Sequence, residues 1–71
     1  MEFKLGYVSE LNEGIGIIIT SNSEEYYFNS DDVEDNDIKI DDNVLFRPEI
    51  INGINRAFFV KKDMSLNEKK K

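Results

Sequence analysis

Seventy-one residues without a single Cys or His make one small domain and exclude disulfide staples, thiolate or imidazole metal sites and any catalytic centre built on a His base. The formal charge of −6 is unevenly spread: residues 1–60 hold 13 acidic against 4 basic side chains, net −9, and residues 61–71 hold 2 against 5, net +3. A body of that sign opposes ligands that need phosphates neutralised by Lys and Arg. No stretch reaches the roughly 18 consecutive apolar residues of a membrane span, and Met1-Glu2-Phe3-Lys4-Leu5 has no basic flank followed by an apolar run, so no signal peptide is read. The expectation is a cytoplasmic protein without membrane contact.

Val, Ile, Tyr and Phe dominate the apolar residues, a strand vocabulary. Short runs of them recur between Gly, Asn, Asp and Ser clusters, as in an all-β sandwich or barrel. A first strand is expected near 3–11, bending at Leu5 or Gly6. Asn12-Glu13-Gly14 is a tight connection in which Asn and Gly tolerate positive φ. Strands follow over about 15–20 and 24–29, separated by the turn-like Ser21-Asn22-Ser23. The polar, acidic stretch 30–42 reads as a loop with one helical turn at Ser30–Val33, capped by Ser30 and favoured by Asp31 and Asp32 in its first turn. The fourth strand covers about 43–51. Pro48 within it belongs on a sheet edge or at a bulge. Asn52-Gly53 is a strong hairpin signal and leads into a fifth strand over about 54–61. The domain thus spans 1–62, and 63–71, ending Lys69-Lys70-Lys71, reads as a disordered tail. Five strands with a long third connection fit a five-stranded antiparallel barrel of the oligonucleotide-binding type, with an SH3-like barrel as the alternative.

The order of motifs narrows the choice. Gly6-Tyr7-Val8-Ser9-Glu10-Leu11-Asn12 resembles the opening G-x-V-K-W-F-N of bacterial cold-shock proteins. Gly14-Ile15-Gly16-Ile17-Ile18 resembles their G-F-G-F-I, and Tyr26-Tyr27-Phe28-Asn29-Ser30-Asp31-Asp32-Val33 resembles V-F-V-H-F-S-x-I. Ile38 through Phe46 is similar to L-x-x-G-x-x-V-x-F, with Asp41 at the glycine, and Arg56-Ala57-Phe58-Phe59-Val60 to the closing Q-A-x-N-V. The resemblance covers residues 5–62. It implies a non-catalytic cold-shock-like barrel, without cofactor or metal, that binds single-stranded RNA or DNA across one face by stacking bases on aromatic side chains. By position the family's Trp is Glu10 and the Phe after it Leu11. Its two glycine-motif Phe are Ile15 and Ile17, its next Phe is the aromatic Tyr27, its His is Asn29 and the following Phe is Ser30. Two Lys positions hold Ser9 and Glu13. With the outward aromatics Tyr7 and Phe59 added, the binding set is Tyr7, Ile15, Ile17, Tyr27, Asn29 and Phe59. Ile offers no π face, so the expected binding is weak.

Two questions stay open at this level. The resemblance turns Ile15, Ile17 and Ile19 outward, whereas alternation alone turns the more apolar set inward. If outward, they form an apolar patch of the kind that marks a protein partner or homodimer, unless the 30–42 segment folds over it. The acidic run Asp31, Asp32, Glu34, Asp35, Asp37, Asp41, Asp42 is a solvated loop, a phosphate mimic that docks on a basic partner, or a Ca²⁺ site. The last fails on spacing, because a loop begun at Asp35 meets Lys39 where an oxygen ligand belongs. The alternative function is therefore an acidic protein-interaction module that uses the Ile face or this loop.

Overall fold

The structure, a computed structural model, describes residues 2–35 and 37–64. Five strands, β1 (Lys4–Asn12), β2 (Ile15–Thr20), β3 (Glu25–Asn29), β4 (Asn43–Ile51) and β5 (Ile54–Lys62), close into a barrel in the order β1-β2-β3-β5-β4. This is the oligonucleotide-binding arrangement. Four of the five neighbouring pairs are antiparallel, and β3–β5 is parallel through Tyr27 and Arg56. The expectation of a wholly antiparallel barrel is corrected on this point for a geometric reason. Strands in a closed ring of five cannot alternate direction all the way round, so one pair must run the same way.

Alternation along each strand builds the core. Val8, Ile18, Tyr26, Phe28, Val44, Phe46, Ala57 and Val60 point inward, with Thr20 as the buried polar residue. The Tyr26 and Phe46 rings meet at 4.9 Å between centroids, within the range of favourable tilted aromatic pairs. Gly16 is required by this packing. It lies opposite Phe28, and a Cβ there would stand 2.2 Å from Phe28 Cζ.

The turns follow their residues. Asn52 and Gly53 both take positive φ, 54° and 81°, as a two-residue hairpin of this type demands. In the β1–β2 turn the positive φ falls on Glu13 (54°) and Gly14 (85°), so a glutamate occupies a left-handed position that Asn or Gly would hold at less cost. Asp41 has φ 79°, which accounts for glycine as the family's residue at this position. The bend in β1 is not at Leu5 or Gly6. Gly6 pairs with Thr20 on one side and Val44 on the other, and the register shifts between Val8 and Glu10. A second shift, between Leu45 and Arg47 of β4, places one extra β5 residue opposite, and Phe59 there takes φ 55°. This bulge lets both Ala57 and Val60 face inward. Beyond Phe46, no strand among the described residues pairs with the other side of β4, so Pro48 stands on an edge, where its missing N–H costs no ladder bond.

The 30–42 segment closes the barrel's end. A 3₁₀ turn covers Ser30–Asp32, and its cap is Asn29 rather than Ser30; the Asn29 N–H donates to Asp32 Oδ2 at 2.9 Å. Val33 bridges Val60, and the Glu34 N–H donates to Val60 O at 2.7 Å. Ile38 enters the core. Asp41 N–H donates to Val8 O at 2.7 Å, and Val8 N–H to Asp42 O at 3.0 Å. These last two bonds carry the β1–β4 ladder one step beyond the Tyr7–Asn43 pair. The expected tail falls outside the described residues from 65 onward; Asp63 is still tied to β4, its N–H donating to Asn43 O at 2.9 Å.

Candidate nucleic-acid interface

Strand register sets the outer face of β1–β3 as three rows of three. Glu10, Ile17 and Tyr27 form the central row, Asn12, Ile15 and Asn29 the row on one side, and Tyr7, Ile19 and Glu25 the row on the other. The isoleucines point outward because their neighbours Gly16, Ile18 and Thr20 are buried. The volume of Phe28, seated over Gly16, decides which side faces the core, and hydrophobicity alone does not. The 30–42 segment does not cover the face: Ile15 stays 53% exposed, Tyr7 41% and Tyr27 40%.

Ile15, Ile17 and Tyr27 line one open cleft of about 330 Å³ with Glu10, Asn12 and Glu13. Adjacent strands are about 4.8 Å apart, so a flat ring laid on Tyr27 would extend across Ile17 toward Glu10. Tyr7 and Asn29 lie on the same face, outside this cleft. Phe59 lies elsewhere. It sits on the β5 bulge with the Arg47 guanidinium carbon 5.3 Å from its ring centroid, a cation–π contact between β4 and β5. The sequence reading missed Asn12 as a cleft residue. It noted Glu10 and Glu13 only as replacements, although both stand at motif positions and were recoverable from them.

Among the described residues no Lys or Arg lines the cleft. The nearest cation along the ladder is Arg56, paired with Tyr27. Its Nε donates to Tyr27 O at 3.4 Å, and Nη2 donates to Asp32 Oδ2 at 3.1 Å. Other cations are likewise engaged: Lys4 with Glu24 at 3.7 Å, Arg47 with Glu49 at 3.0 Å, and Lys62 with Asp37 at 3.2 Å and Asp42 at 3.8 Å. The Lys62 hydrogen bond and charge hold the Asp37 carboxyl below its ordinary range. The same hydrogen bond holds the Lys62 amine above its own. The acidic loop thus spends part of its charge on β5.

No protein-family model matches the sequence, and no curated protein sequence does. Among solved structures, the chain is similar to drosophila Unr cold-shock domains 4–6, with a TM-score of 0.75, 25% identity, and 86% of this chain and 26% of that chain covered. It therefore spans about a quarter of that chain's length. The match agrees with the closed five-stranded barrel. The chain has the fold of a cold-shock domain, in divergent form.

Proposed function

We propose that the outer face of β1–β3 binds single-stranded RNA or DNA weakly and without catalysis, by stacking a base on Tyr27 and packing neighbouring bases on Ile15 and Ile17. The observation that carries this reading is the exposed Tyr27 ring in an open cleft whose apolar floor is Ile15 and Ile17. One stacked base contributes about 1–3 kcal/mol, and isoleucines add apolar contact without stacking. Among the described residues Lys4, Arg47, Arg56 and Lys62 are held in ion pairs and none lines the cleft, so on this reading affinity depends mainly on the bases and responds weakly to salt. Fluorescence anisotropy with labelled single-stranded RNA and DNA tests this, and the absence of binding at low salt would refute it.

One observation favours a second reading. Glu10 and Glu13 rim the same cleft as Ile15 and Ile17, an arrangement complementary to a basic protein segment with apolar anchors. Under this reading Ile17→Asp abolishes capture of a Lys- and Arg-rich peptide ligand. Peptide binding of equal strength by wild type and Ile17→Asp would dismiss it.

A further inference from the structure

Glu10 is the least expected residue of the cleft. It occupies the central row with Ile17 and Tyr27 and is exposed. Among the described residues no cation pairs with it. Toward a phosphate it is repulsive, so a nucleic-acid ligand loses affinity at this position unless it offers the carboxylate a hydrogen-bond donor. Bases differ in what their edges offer. Guanine presents N1–H and an N2 amino hydrogen side by side, two donors matched to the two oxygens of a carboxylate. Cytosine and adenine present one amino donor beside a ring-nitrogen acceptor, which a carboxylate repels. Uracil and thymine present one N–H between two carbonyl oxygens.

Building on the stacking reading above, we infer that Glu10 makes this face select guanine in single strands: the base lies on Tyr27 and across Ile17, and N1–H and N2–H donate to the Glu10 carboxylate. Glu13, in the turn at the cleft's rim, adds negative charge without standing in the row. Asn12 and Asn29 flank Ile15 in the next row and supply amide groups rather than charge, so the charged selection rests on Glu10.

The test is anisotropy with the full chain and two labelled oligouridylates of roughly eight residues, identical except for one central guanine. Wild type binds the guanine-containing strand roughly 5- to 150-fold more tightly, the discrimination expected of a good two-bond pair. Glu10→Gln removes that preference and at the same time tightens binding of plain oligouridylate, because a repulsive charge is gone. Glu13→Gln tightens both strands alike and leaves the preference in place. Equal wild-type affinity for the two strands overturns the guanine assignment and leaves the stacking reading standing, whereas no binding to either overturns both. Retention of the preference in a folded Glu10→Gln protein also overturns the assignment. Should that variant not fold, the wild-type comparison of the two strands decides.

Discussion

At Gly16 the lack of a Cβ is what seats the Phe28 ring. Gly16→Ala should cost about 1–3 kcal/mol by overpacking, measured as a shift in urea midpoint. Asp41 shows the reverse case, in which a departure from the family pattern preserved the backbone. Its φ of 79° is one that Asp tolerates better than most side chains. Phe59 is exposed, the direction expected of it, but its place on the β5 bulge set by the pairing of β4 with β5, away from the β1–β3 face, was out of reach of pattern reasoning. Tyr27 is the residue on which binding should depend. Tyr27→Ala should weaken single-strand binding by about 1–3 kcal/mol and Tyr27→Phe by far less, with both proteins equally folded because the ring is 40% exposed.

At the scale of elements, strands bounded by Asn-Gly and Glu-Gly turns were readable within a residue or two, because turn chemistry and period-two patterning agree there. The 30–42 segment was readable only at its start, where the turn expected at Ser30–Val33 is a 3₁₀ turn over Ser30–Asp32. Its composition is that of a solvated loop, and nothing local announces that Ile38 enters the core or that two of its backbone amides bond to β1 and β5. Ile38→Ala should therefore cost about 2–5 kcal/mol, as for a buried aliphatic residue, measured by denaturant unfolding. The same segment is held by charge through Lys62. Asp37 lies below its ordinary value of 3.8 because of Lys62, so its contribution is present at neutral pH and lost as pH falls through the lowered value. Lys62 lies above its ordinary 10.5 because of Asp37, so its contribution is lost only as pH rises through the raised value. The difference in thermal midpoint between wild type and Asp37→Asn should stay constant from about pH 5 to 9 and shrink below about pH 4. A difference that changes through neutrality would show that another group controls the loop.

For the whole molecule, closure of the sheet and distribution of charge point in different directions. Five-strand closure gives the cold-shock barrel and its exposed face. The net charge of −9 over residues 1–60 opposes phosphate binding, and among the described residues Lys4, Arg47, Arg56 and Lys62 are already in ion pairs. On the reading proposed, this face still binds single strands through Tyr27. This reading is tested most directly by anisotropy titration of wild type and Tyr27→Ala with labelled single-stranded RNA and DNA at about 50 and 200 mM salt. Wild type should bind weakly but measurably, with a salt dependence below that of about two neutralised phosphates, and Tyr27→Ala should lose most of that binding. No binding at the lower salt, or equal binding by the two proteins, would contradict it.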